Sequence, residues 1–173
     1  MILELIERRG EDRFRTGCWV DEGRIPPPLA EALAGLGGQD WPANLVLADD
    51  GTVAAMNGRY RNREGVTDVL SFSYLLAEGR GDPDLRAGNR GAACDLWRES
   101  PPDVVGEVIL APDFVARRCL REGWSVGTEF TLLVIHGCLH LLGWDHGEPE
   151  MARTMRGLET ELLGGMGMSH PLA

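Results

Sequence analysis

The sequence predicts a single α+β domain, and three observations carry that expectation. The chain has 173 residues, close to one domain at about 150 residues per domain. It is 43% hydrophobic and 25% charged, as ordinary globular proteins are, so a core can form without disulfides. Its short strand-like runs mix with longer helical stretches without the strict βαβ repetition of a doubly wound fold. Residues 1–173 therefore read as one unit.

Residues 1–7 (MILELIE) alternate apolar and charged side chains, the period of a half-buried strand. Pro26, Pro27 and Pro28 lead into LAEALAGL. Proline suits a first helical turn and the Gly37-Gly38 pair suits a stop, so 27–36 reads as a helix. NLVLAD (44–49) is a short apolar strand, after which Asp49 or Asp50 can cap a helix over about 51–62. DVLSFSY (68–74) is a second strand. Residues 77–102 are rich in Gly, Pro and charge with few apolar anchors. They predict a long loop or disordered insertion, set within the domain because strands flank it. DVVGEVILA (103–111) resumes a strand; Pro112 and Asp113 open a helix to about Arg121, and Gly123 ends it. GTEFTLLVIHGCLHLL (127–142) is apolar nearly all round, as a helix buried in mid-domain is. Gly143 is placed to end it. A last helix covers 148–163 and stops at Gly164-Gly165.

Composition excludes several classes. No run of 18 apolar residues exists, so no transmembrane helix is expected. The opening MILELIERRGEDRFR puts apolar residues before charges, the reverse of a secretory signal, and a cytoplasmic protein is expected. Seventeen basic residues against 27 acidic give a net charge of −10, which argues against a nonspecific nucleic-acid coat but leaves room for a local basic groove. Every basic residue is arginine. A GC-rich coding bias accounts for that, although arginine also suits bidentate phosphate contacts. Cys18, Cys94, Cys119 and Cys138 show no CxxC spacing, so a zinc ribbon or redox dithiol is unsupported, and reduced thiols are expected.

Three of the four histidines fall in HGCLHLLGWDH: His136, His140 and His146. His136 and His140 are four residues apart, one turn along one helix face, so both imidazoles can reach one ion at about 2.0–2.1 Å. Gly143 breaks the helix and lets His146 return as a third ligand. Three neutral nitrogens suit zinc, with nickel or copper chemically possible. A fourth position stays open for water, the arrangement of hydrolytic zinc sites. His170, in the tail MSHPLA, is expected to be exposed. The HxxxHxxGxxH spacing is also that of metzincin proteases, whose general-base glutamate follows the first histidine. Here that position is Gly137, which cannot accept a proton.

A second informative stretch, MNGRYRNREGVTDVLSFSY (56–74), ends a helix with Arg59, Tyr60, Arg61 and Arg63. Cations at a helix C-terminus are favoured by the dipole alone; they can also clamp phosphates, with an aromatic available for stacking. Asp145 can orient a ligand histidine or cap the last helix.

Together these stretches resemble the YbeY single-strand-specific endoribonucleases, bacterial rRNA maturation factors. The resemblance rests on Asn57 with Tyr60-Arg61, on TDVLSF (67–72), on Gly106-Glu107-Val108-Ile109, and on HGCLHLLGWDH. Met151, Met155 and Glu159 fit the family's last helix. The match covers roughly residues 40–165. Met56 stands for the family's Leu, Glu107 for its Asp and Trp144 for its usual Tyr, and Arg63 can carry the charge of a lysine that often follows Tyr-Arg. The resemblance implies a mixed sheet packed with helices in a zincin-like α+β fold. It implies one Zn²⁺ per chain on His136, His140 and His146, with Arg61, His136 and His140 catalytic. Arg61 would sit in a positive groove near the metal, and a cleft lined by Arg59, Arg61 and Arg63 is expected to bind RNA. It further implies cleavage of single-stranded RNA, pre-16S rRNA 3′-end maturation and ribosome quality control. Expected partners are the small ribosomal subunit and assembly factors, with neither DNA nor membrane. A zinc metalloprotease-like hydrolase and a non-catalytic ribosome-assembly factor are the alternatives.

Overall fold

The structure, a computed structural model, describes residues 1–10, 13–34, 36, 40–74 and 104–171. The expected insertion at 77–102, with Cys94, and the Gly37-Gly38 stop lie outside the described residues. In chain order the elements are β1 (Ile2–Glu7), a 3-10 turn (Trp19–Glu22), α1 (Pro27–Leu33), β2 (Pro42–Leu47), α2 (Asp50–Arg61), β3 (Val69–Ser73), β4 (Gly106–Leu110), α3 (Pro112–Glu122), α4 (Val126–Leu141) and α5 (Pro149–Gly165). The α+β class with a mixed sheet holds. The sequence did not signal the 3-10 turn, and α5 runs through Gly164 and Gly165 instead of stopping before them.

The sheet order is β1-β2-β4-β3. β1, β2 and β4 run parallel, while β3 is antiparallel to β4, with Val69 opposite Leu110 and Ser73 opposite Gly106. Alternation along these strands sorts the two faces. Val69, Val108 and Leu110 join the larger core with α4, whose Ile135 and Leu139 are fully buried. Each such side chain contributes roughly 1.5–3 kcal/mol by leaving water. Leu70, Ile109 and Phe72 face the other way, against Val53 and Met56 of α2. Helices α2 and α4 thus cover opposite faces of the β3–β4 pair.

Local chemistry sets the ends. Asp49 caps α2, its Oδ1 accepting from the Thr52 N–H at 2.8 Å and its Oδ2 from the Thr52 hydroxyl at 2.9 Å. At the other end Asn57 is buried and its Nδ2 donates to the Gly65 carbonyl at 3.0 Å. That bond pins the loop running from the arginines to Asp68. No described helix is long and apolar enough to cross a membrane. The described cysteines, Cys18, Cys119 and Cys138, are free thiols.

Candidate metal centre

The C-terminus of α4 builds the site. Gly143 adopts φ 92°, a conformation open to glycine, and closes a Schellman turn. The Trp144 N–H donates to the Leu139 carbonyl and the Gly143 N–H to the His140 carbonyl, both at 3.0 Å. The reversal does two things. It aims the Trp144 carbonyl at His140 Nδ1, 2.8 Å away, and it swings His146 back beside α4. Asp145 Oδ1 then accepts from the His146 backbone N–H at 2.7 Å, fixing this turn. Among the described residues Asp145 thus bonds the backbone of the turn and not an imidazole, and Glu148, without a side-chain bond, occupies the N-cap of α5.

The three expected ligands converge. One nitrogen from each of His136, His140 and His146 lies within 4.8 Å of the others, and the Nε2 atoms of His136 and His140 are 3.1 Å apart. Their other nitrogens decide what faces inward. His136 Nδ1 meets Glu159 Oε1 at 2.7 Å and His140 Nδ1 meets the Trp144 carbonyl. Carboxylate and carbonyl only accept, so both Nδ1 atoms carry a proton, and in the neutral rings both Nε2 atoms turn lone pairs toward one another. Two lone pairs at this distance repel unless they share a cation. Ligands at about 2.0–2.1 Å from a tetrahedral zinc would stand about 3.3 Å apart, close to the separation found. Burial first, and then the neighbouring His136 and His146, hold the His140 pKa down to about 4, which keeps its lone pair available at neutral pH. The donor set fits one ion of the zinc type.

Glu159 on α5 is the site residue whose role the spacing did not show. It is 7% exposed, and its second oxygen, Oε2, lies 3.3 Å from His170 Nε2. Burial alone would raise its carboxyl, but the bonds from His136 and His170 bring it below the usual carboxylate range. His170 corrects its expectation: it is 6% exposed, not a free tail residue, because the tail folds back onto α5 to meet this carboxylate. A carboxylate behind a ligand imidazole fixes its tautomer and raises its basicity. Glu159→Gln is therefore expected to weaken zinc binding about 10–100-fold, measured by competition with a chromophoric chelator.

Beside the histidines lies a cavity of about 350 Å³, walled by α3, α4, α5, the start of β3 and the C-terminal tail. Its described basic groups are Arg118 and Arg156, neither singled out by the sequence. Arg118 bridges Asp68 (2.8 Å) and Glu129 and lies 5.7 Å over the Trp124 ring. Burial is the largest single influence on Asp68 and opposes its ionisation, yet the bond and charge of Arg118, with the Val69 N–H and the Thr67 hydroxyl, together outweigh it and lower the pKa. A depressed carboxylate contributes stability above its unfolded value, about 3.9, that disappears as pH falls through the folded value. On acidification from about pH 5 to pH 2, wild type should lose about 1–2 kcal/mol more than Asp68→Asn. Urea unfolding at each pH checks this.

Arg59 and Arg61 sit in the last turn of α2, and Arg63 follows its Asn62 cap. All three are exposed. Arg59 lies 5.4 Å from the Tyr60 ring centroid, and Tyr60 packs edge-on against Phe72 at 5.1 Å. Among the described residues none of the three bonds to the histidines. The loop after α2 instead leads from them to Asp68, at the cavity wall.

Fold and site together define a class: an α+β protein whose buried helix, with the turn that follows it, presents three histidines able to hold one metal ion. The family model described as Endoribonuclease YbeY matches residues 33–167, and the chain belongs to the YbeY family. It is 38% identical over 120 residues to a protein of that name from Mycobacterium leprae, covering 69% of this chain and 61% of that one. To its Thermobifida fusca namesake it is 39% identical over 122 residues, 70% of each. The chain thus aligns with less than two thirds of the length of the Mycobacterium leprae relative. The solution structure of TM1509 from Thermotoga maritima shares the fold, with TM-score 0.54 and 21% identity, covering 96% of this chain and 92% of that one.

Proposed function

We propose that this chain is a zinc-dependent endoribonuclease that cleaves single-stranded RNA. The observation carrying the reading is the pair of Nε2 atoms facing each other at 3.1 Å in a member of a family whose named relatives are endoribonucleases. A zinc bound there would supply Lewis-acid activation of a phosphate oxygen or of water. The chain's own residues do the rest. His136, His140 and His146 hold the centre, with His136 and His140 kept in the inward-facing tautomer by Glu159 and the Trp144 carbonyl. Arg61, one loop away from the cavity wall, neutralises charge building on the phosphate, and Arg59 and Arg63 carry the flanking backbone. In the cell the substrate would be pre-16S rRNA at its 3′ end, in the cytoplasm, on the small ribosomal subunit with its assembly factors, in maturation and quality control.

A protease reading meets a steric obstacle. A Cβ at position 137 would lie 2.5 Å from Val108 Cγ1 and 3.2 Å from Ser71 Oγ, so this face has no room for the glutamate that metzincins use. A purely structural ion is disfavoured because closed structural sites use four protein ligands.

The test is cleavage of labelled single-stranded and duplex RNA on a denaturing gel. The expected result is cutting of the single strand alone. Arg61→Ala should reduce cleavage by about 10²–10³-fold with zinc binding unchanged. Casein digestion with intact RNA would overturn the reading. A 3′-hydroxyl product would mark water as nucleophile and exclude attack by the RNA 2′-hydroxyl.

A further inference from the structure

The cavity beside the histidines has a chemistry of its own. Its floor is apolar, with Leu132, Leu133 and Met155, and its rim carries Trp124, 36% exposed. His136 and His146 line it too, so whatever fills it touches the metal centre. About 350 Å³ lies at the small end of ligand pockets, roughly 300–1,000 Å³: room for a nucleoside, not for a folded strand.

A phosphate does not suit this space. Both terminal nitrogens of Arg118 already bond Asp68 and Glu129, and three carboxylates, those of Asp68, Glu129 and Glu159, share the walls with two arginines, Arg118 and Arg156. A flat, uncharged group with hydrogen-bond donors on its edge suits it well. Both oxygens of Asp68 are already engaged: Oδ1 takes the Thr67 hydroxyl and the Val69 N–H, and Oδ2 takes Arg118. Glu129 differs. Its side chain is 6% exposed, Oε1 accepts from Arg118, and Oε2 has no hydrogen-bond partner among the described residues.

We propose that this cavity is a nucleobase pocket seating the base next to the cleaved phosphate, with Trp124 as its stacking surface and Glu129 Oε2 as the acceptor that reads the base edge, favouring guanine over uracil. This rests on the endoribonuclease reading. Guanine turns two adjacent donors, N1–H and the N2 amine, toward a carboxylate. Uracil flanks its single N–H with two carbonyl oxygens, which repel it. Arg118 lies over one face of the indole and fixes the ring, the base taking the opposite face, and stacking on an aromatic supplies affinity without charge.

The experiment is calorimetric binding of guanosine and uridine 5′-monophosphates to the full chain, wild type, Trp124→Ala and Glu129→Gln, with inorganic phosphate as competitor. Cleavage of guanine-containing and guanine-free single-stranded RNAs is read alongside. Guanosine monophosphate should bind about tenfold more tightly than uridine monophosphate. Phosphate should not displace it, Trp124→Ala should weaken it about tenfold or more, and Glu129→Gln should level the two nucleotides. Trp124 sits at the rim, so its variant keeps the fold even if the Glu129 variant does not. Equal binding of both nucleotides, or displacement by phosphate, overturns the pocket. RNA cut without base preference, unchanged in Trp124→Ala, also overturns it while leaving the endoribonuclease reading intact. Selective guanosine binding with no RNA cut would overturn the endoribonuclease reading and keep the pocket's base selectivity.

Discussion

His140→Ala is expected to lose zinc and RNA cleavage together, with the fold retained. His140 is the middle residue of the proposed ligand set: its Nε2 faces His136 at 3.1 Å, and its ring lies 5.0 Å from that of His146. Removing it leaves two nitrogens that no longer enclose an ion, and two ligands fall short of the three that catalytic zinc sites keep. Cleavage should drop to the level of the metal-free protein, while circular dichroism stays that of wild type. The cause is local, because the imidazole is half-buried at the end of α4 and not in the packed layer between helix and sheet. Wild-type and variant proteins must be purified side by side; equal cleavage by both would show that a contaminating nuclease is at work.

Gly137→Glu is expected to leave little folded protein, and it is the largest stability effect anticipated. The position lies where α4 crosses β4. Even a methyl group would meet Val108 Cγ1 at 2.5 Å, Val108 Cγ2 at 2.9 Å and Ser71 Oγ at 3.2 Å. Overpacking of that kind costs about 1–3 kcal/mol, so Gly137→Ala should lower Tm by about 2–4 °C for each kcal/mol lost. Glutamate adds an unpaired buried charge, at several kcal/mol more, against a total stability of about 5–15 kcal/mol for a typical protein. Thermal melts of the two variants check the order. A folded Gly137→Glu protein that digested casein would revive the protease reading and would show that α4 can lift from the sheet.

These two residues show what was legible in the sequence. His136 and His140 are set by helix periodicity alone, and Gly143 marks the turn that returns His146, so the ligand set is a local property. The missing glutamate at 137 was also legible, but its physical reason, the approach of α4 to Val108, is tertiary. Glu159 reaches His136 from 23 residues downstream, a distance at which no period points, and its partner His170 sits among glycines and methionines that locally read as a loose tail. The Asp68–Arg118–Glu129 bridge joins the loop entering β3 to α3 and α4, elements whose adjacency follows from the order β1-β2-β4-β3, which strand patterns do not encode. Helix α2 was legible through its cap, read as Asp49 or Asp50. That it covers the sheet face opposite α4 was not, and this is why the relation of Arg61 to the histidines needed the structure.

The most direct measurement is a zinc titration of the metal-free protein in which RNA cleavage and bound zinc are followed in the same samples. Cleavage rising in proportion to zinc and levelling off at one ion per chain is the predicted result. Full cleavage before any zinc is added, or zinc bound one to one with no cleavage of any single-stranded RNA, would contradict a three-histidine hydrolytic centre.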